Sequence, residues 1–152
     1  MIEALERLIG EIGTLHTKLI LLIGRPGSGK TQLLRNLAAK TSSKCLNVSM
    51  LLGSRLAPLT QRQRQLSVNR LVCELADEHT TADLLIVDNI ELLFDRSLHV
   101  SPLDILKQQA HARRVVAVWP GELRDGRLKY AQMGHSEYQD YSAEGLVVFK
   151  IQ

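Results

Sequence analysis

Cysteine is scarce in this 152-residue chain: Cys45 and Cys73 are the two present, with no C-x-x-C pair. That spacing excludes a disulfide scaffold and gives no support to a zinc site. Both thiols fall in apolar stretches, where the expectation is two small buried hydrophobes in a reducing, cytoplasmic setting. The five histidines, at positions 16, 79, 99, 111 and 135, show no metal-ligand spacing either. No apolar run approaches the ~18 residues that a membrane-spanning helix needs, so no membrane role is expected. Glu3, Glu6 and Arg7 interrupt the N-terminus in a way that does not suit a secretory signal. Charge is nearly balanced, 19 Lys and Arg against 16 Asp and Glu. A net +3 is too slight to argue nucleic-acid binding by itself. Repeats, low-complexity tracts and linkers are also missing. The chain therefore reads as one domain over 1–152, with an amphipathic helix over 1–16 leading into a core over 17–152. Its 45% hydrophobic content suffices for a buried core.

Against that plain background one octapeptide stands out. Gly24-Arg25-Pro26-Gly27-Ser28-Gly29-Lys30-Thr31 fits G-x-x-x-x-G-K-S/T at every specified position. The apolar run Lys18–Ile23 before it has the length of a buried strand. The segment Thr31–Lys40 after it places Leu33, Leu34, Leu37 and Ala38 at helical spacing. Strand, glycine-rich loop and helix is the order that phosphate binding requires. Glycines let backbone N–H groups turn inward around phosphate oxygens, and the helix N-terminus adds partial positive charge. Gly24 through Thr31, with Gln32, form the expected phosphate cradle. Lys30 would reach the β- and γ-phosphates, and the Thr31 hydroxyl would ligate Mg²⁺. The expected ligands are ATP and Mg²⁺.

Further along, Lys44–Ser49 reads as a second strand and 51–59, with Gly53 and Pro58, as a loop with a short helical turn. Gln61–His79 is an amphipathic helix, and Ala82–Asp88 a buried strand ending in an acid. Ser101 caps a helix from Pro102 to about Ala112. Val115–Trp119 is a fourth strand, 128–141 reads as helix or turns, and Gly145–Ile151 is a fifth strand. Strands alternating with helices predict an α/β fold: a five-stranded parallel sheet covered on both faces, with its ligand at the carboxyl ends of the strands.

Leu84-Leu85-Ile86-Val87-Asp88 fits the Walker B pattern, in which the strand delivers a carboxylate to Mg²⁺ beside the P-loop Thr. Asn89 follows Asp88 directly and can orient water but not accept its proton. Glu91 has two readings: the base that activates water, or an acid that starts the next helix. Trp119 ends the fourth strand, where a phosphate-sensing polar side chain is common in such enzymes; it can line the pocket or pack. Arg55, Arg96, Arg113, Arg114, Arg124 and Arg127 are candidates for an arginine supplied to a neighbouring site. Gln61-Arg62-Gln63-Arg64-Gln65, with Arg55 and Arg70, is the best basic patch, though without aromatics for base stacking. The polar and aromatic stretch 130–141 reads as a partner surface or a lid on the base.

The order of motifs resembles the ASCE class of P-loop ATPases, close to the AAA+ core. The resemblance implies a three-layer fold with strand order 5-1-4-3-2, and the chain departs from it in having no helical lid after its fifth strand. More narrowly, KLILLIG leading into GRPGSGKT, together with LLIVDNIELLF and VVAVWPG, is similar to the BrxF family of small P-loop proteins from BREX type-3 bacterial phage-defence systems. That likeness implies an ATPase acting with other BREX-system proteins. An ATPase with an incomplete site also predicts nucleotide-dependent homo-oligomers. Other readings stand beside it: an initiator or helicase-loader ATPase of DNA replication, a nucleotide-gated interaction module with negligible hydrolysis, and, least supported, a small-molecule kinase.

Overall fold

The computed structural model describes residues 1–131 and 138–151. The expected parallel sheet is present, built from β1 (Leu19–Gly24), β2 (Cys45–Asn47), β3 (Leu84–Asp88), β4 (Arg114–Val118) and β8 (Val147–Ile151). Their order is β2-β3-β4-β1-β8, all pairs parallel. Counting only these five strands and starting from the β8 edge, this is 5-1-4-3-2, as the resemblance implied. The first sheet positions are apolar because both faces are covered. Leu19, Leu21 and Ile23 of β1 point into one core layer, and Ile20 and Leu22 point into the other. β3 and β4 alternate in the same way, Leu85, Val87, Val115 and Ala117 against Leu84, Ile86, Val116 and Val118.

One face is covered by α1 (Ile2–Glu11) and α2 (Lys30–Thr41), through Leu5, Ile9, Leu33, Leu34 and Leu37. The N-terminal helix thus completes a core layer. Its Glu6 meets Lys40 of α2 at 2.9 Å, and the Ile9 carbonyl accepts from Arg114 Nη1 at 3.4 Å. The other face is covered by α3 (Val48–Leu56), α4 (Gln61–His79) and α5 (Pro102–Ala112). Thr60 closes a capping box with Gln63 at the start of α4, and Ser101 caps α5. No helix among the described residues is long and apolar enough to cross a membrane.

Two expectations along the chain are corrected. Residues 48–56 form α3, not a loop with a short turn. Gly53 lies within it, its open side facing Leu92 Cδ2, and Pro58 lies beyond its last turn. Asn47 caps it by accepting from Met50 N at 3.1 Å. Residues 122–142, expected as helix or turns from 128 onward, contribute a second, antiparallel sheet. It consists of β5 (Glu122–Arg124), β6 (Arg127–Tyr130) and β7 (Gln139–Ser142). Among the described residues this sheet fills the β4-to-β8 crossover, where a helix would usually lie. Residues 132–137 of the suspected lid stretch are outside the described residues. Both cysteines are exposed, again against expectation. Cys45 stands on the three-residue edge strand β2, and Cys73 on the outer face of α4, where its Sγ accepts from Gln109 Nε2 at 3.2 Å.

Candidate nucleotide site

The P-loop leaves the carboxyl end of β1 and turns into α2 through Gly27 (φ 79°) and Gly29 (φ 95°), backbone conformations that side chains rarely tolerate. Gly24 is closely packed as well. A Cβ there would stand 2.4 Å from Ser28 Oγ and 3.1 Å from the Ile151 carbonyl oxygen of neighbouring β8. The loop holds itself with Ser28 N donating to the Arg25 carbonyl at 3.0 Å. The Lys30 ammonium donates to the Gly24 carbonyl at 2.6 Å. Ser28 Oγ is buried with no hydrogen-bond partner, a polar atom left over inside the loop. Thr31 and Gln32 are exposed in the first turn of α2. There, backbone N–H groups have no acceptor within the helix.

A cleft of about 990 Å³ opens over this loop. Gly24 through Ser28 and Lys30 form one wall. Pro120 to Leu123, Lys129 and Ala131 form the other, with Lys150 and Ile151 at the end of β8. Among the described residues, four cations, Arg25, Lys30, Lys129 and Lys150, face a single carboxylate, Glu122. Gly29, Thr31, Gln32, Asp88, Asn89 and Glu91 lie outside this cleft's lining.

Asp88 ends β3, separated from β1 by β4 alone. The turn that follows is tightly built. Asn89 takes φ 55°, donates its backbone N–H to Asp88 Oδ1 at 2.8 Å and its carboxamide to Asn47 Oδ1 at 3.0 Å. Its carbonyl accepts from both Ser49 N (2.8 Å) and Ser49 Oγ (2.7 Å). Ile90 is then fully buried, and Glu91 opens a 3-10 helix over Glu91–Phe94. The helix-start reading of Glu91 is therefore correct for its backbone. Its carboxyl titrates above the ordinary carboxylate value, first because it is partly desolvated and next because Asp88 repels its charge. Lys30 pulls in the opposite direction. Those influences put Asp88 and Lys30 each within electrostatic reach of Glu91. Asp88 also reaches Cys45, whose thiol is pushed up to about 11 by desolvation on its packed side and by that carboxylate.

Trp119 packs rather than lining the pocket: it is fully buried. Its indole meets Phe94 edge-on at 5.3 Å and Tyr141 at 6.0 Å. Its Nε1 donates to the Lys129 carbonyl at 3.1 Å, tying the antiparallel sheet to the end of β4. The place of Lys129 in the cleft wall was missed from sequence, although the Asp125-Gly126 pair that turns β5 into β6 was visible. The basic patch is largely committed elsewhere. Arg64 donates to the Leu56 and Ala57 carbonyls at the end of α3, Gln65 to the Ser97 carbonyl, and Arg55 and Arg70 pair with Glu74 and Glu78.

The donor set fits a nucleoside triphosphate with its Mg²⁺: an ammonium and glycine-rich backbone on one strand end, a hydroxyl beside them, and an acid two strands away. Among the described residues no group of three or more His, Cys, Asp or Glu gathers around a point, so a divalent ion here would depend on phosphate and water oxygens. No curated protein matches the chain. A family model does, over residues 20–118, which span more than half of the chain from within β1 to the end of β4. That model describes the ATPase family associated with various cellular activities (AAA), and the chain belongs to this family.

Proposed function

We propose that this chain is a Mg²⁺-dependent ATPase subunit of a BREX-type phage-defence system, coupling its nucleotide state to assembly with itself or with other subunits of that system. Family membership carries the coarser part, ATP binding and hydrolysis. The observation that carries the site assignment is the placement of the Lys30 loop and the Asp88–Glu91 turn at the carboxyl ends of β1 and β3. The defence assignment rests on the likeness of GRPGSGKT, LLIVDNIELLF and VVAVWPG to BrxF proteins.

In this reading the loop N–H groups from Gly27 to Thr31 hold the phosphates, and Lys30 leaves the Gly24 carbonyl to bind the β- and γ-phosphate oxygens. Mg²⁺, when bound, neutralises charge on those oxygens. Thr31 Oγ1 and the Asp88 carboxylate would hold it. Glu91 accepts the proton of the attacking water, a task that its raised pKa suits. Asn89 fixes the turn from Asp88 to Glu91 through Asn47 and Ser49, and so positions both acids.

The replication-loader reading has less support, because Arg55, Arg64 and Arg70 already serve α3 and α4. The gated-module reading has one observation in its favour: Trp119 occupies the end of β4 as a buried anchor. Turnover decides between them. Wild type, Lys30→Ala, Asp88→Ala and Glu91→Gln are compared for ATP binding and phosphate release. Lys30→Ala should lose binding, while Glu91→Gln should keep binding and lose about 10²-fold or more in kcat. Full turnover in Glu91→Gln would remove Glu91 as the base. Undetectable turnover in the wild type at high concentration would favour the gated module. For the defence assignment, a host carrying the complete BREX gene set should lose phage restriction with Lys30→Ala; unchanged restriction would sink it.

A further inference from the structure

The second wall of the cleft belongs to a part of the chain outside the residues that the AAA family model matches. There β6 lies in the middle of the small sheet, with Leu128 buried in the main core, so that Lys129 stands on the opposite face of the strand. Directly across from Lys129 are Glu122 of β5 and Asp140 of β7. Each acid is bridged to an arginine, Glu122 to Arg124 at 3.8 Å and Asp140 to Arg127 at 2.8 Å. Lys129 itself lines the cleft together with Lys30.

Its backbone is held in place from below. Trp119 N donates to the Leu22 carbonyl of β1 at 2.9 Å, and the Trp119 indole donates to the Lys129 carbonyl. Gly121 passes so close that a Cβ on it would fall 1.6 Å from that same carbonyl oxygen. β4, which Trp119 follows, lies between the strand carrying the P-loop and the strand carrying Asp88. That is the end of the site where a γ-phosphate belongs. Lys150, the other extra cation, lies one residue before the end of β8, on the far side of β1 from Asp88.

We propose that Lys129 contacts the γ-phosphate of bound ATP and is the residue by which this site distinguishes triphosphate from diphosphate. The antiparallel sheet thereby supplies in cis what the end of β4 cannot, since its Trp119 is buried. The inference rests on the reading of the P-loop cleft as the ATP site. An ammonium is a suitable sensor because it binds the added charge of the terminal phosphate as a point charge. Trp119 then links that contact mechanically to the core.

The test is the affinity of the full chain, with Mg²⁺, for a non-hydrolysable ATP analogue and for ADP. Lys129→Gln, which keeps most of the stem and removes the charge, should weaken the analogue about tenfold or more, as expected for one charge-assisted contact, and leave ADP within about twofold. Lys129→Arg should restore most of the discrimination, and an unchanged urea midpoint with unchanged emission from Trp119 would show the sheet still seated. Equal loss for both nucleotides, no loss for either, or an analogue-selective loss from Lys150→Gln instead would overturn the proposal. Lys30→Ala separates the two levels. If it leaves the analogue's affinity unchanged, the cleft is not the ATP site and both readings fall. If it abolishes binding while Lys129→Gln keeps discrimination, only the role of Lys129 falls.

Discussion

Asn89 shows how one residue's backbone shapes the chemistry around it. Its φ of 55° lies in the left-handed region, which a carboxamide tolerates well and a longer acid less so. Asn89 follows Asp88 directly, and the acid Glu91 arrives two residues later, after a buried Ile90. Its carboxyl titrates above the usual 4.5 in the folded chain because desolvation and Asp88 both disfavour the charge. The folded state therefore binds a proton at Glu91 more readily than the unfolded state does. At neutral pH the ionised Glu91 opposes folding, and that penalty fades as pH falls through its folded pKa. Without nucleotide or metal, Glu91→Gln should raise the urea midpoint at pH 7, and the gain should shrink as pH falls to 4. A variant less stable than wild type at pH 7 would contradict this account. With the acid ionised only above its raised pKa, the acid limb of kcat/KM, which reports the free enzyme, should also lie above the ordinary carboxylate range.

Among the elements, the sheet β5–β7 has the clearest mechanical dependence on a single position. Gly121→Ala would drive a methyl group into the Lys129 carbonyl, so β6 must move away from β4 and the Trp119 indole must lose its acceptor. Overpacking with a lost buried hydrogen bond should destabilise the chain by about 2 kcal/mol or more. Trp119 is the sole tryptophan, so its emission should shift to the red as the sheet lifts. An unshifted spectrum with an unchanged urea midpoint would mean that the sheet does not depend on this approach. The same elements show where the sequence was readable. β1, β3 and β4 are buried on both faces, so they appear as unbroken apolar runs, and the P-loop between β1 and α2 was legible down to each residue. β5 and β6 are three and four residues long with one polar face, so only Leu123, Leu128 and Tyr130 carry their pattern. The Asp125-Gly126 turn, with φ of 52° and 73°, was their real signature. Helix α3 was obscured by Gly53 and Pro58, of which only the first lies inside it. Cys45 and Cys73 were misjudged because an edge strand and a helix's outer face expose residues that local apolarity suggests are buried.

For the whole molecule, the question is what completes the site. Of the six arginines considered as donors to a neighbour, Arg55, Arg113, Arg114 and Arg127 are held in cis by Glu78, Asp77, Asp83 and Asp140. Withdrawing any of them would sacrifice an existing pair and, for Arg113 and Arg114, further bonds to Thr80 and to the Ile9 and Ala82 carbonyls. Arg96 and Arg124 are exposed, the latter only loosely opposite Glu122. These two are the arginines that an adjoining copy could receive at the least structural cost, Arg124 giving up only its 3.8 Å pair with Glu122. If self-association places one of them at the neighbour's γ-phosphate, Arg96→Ala/Arg124→Ala should lose about 10³-fold in turnover while still binding ATP. Lys30→Ala should be inactive for the opposite reason, lacking its own site but keeping both arginines. An equimolar mixture should then recover turnover, because each Lys30→Ala copy can serve an intact site next to it. Light scattering with Mg²⁺ and a non-hydrolysable ATP analogue should show the association on which this depends. A mixture no more active than the sum of its parts, or a double variant at full rate, would show instead that the chain completes its site alone.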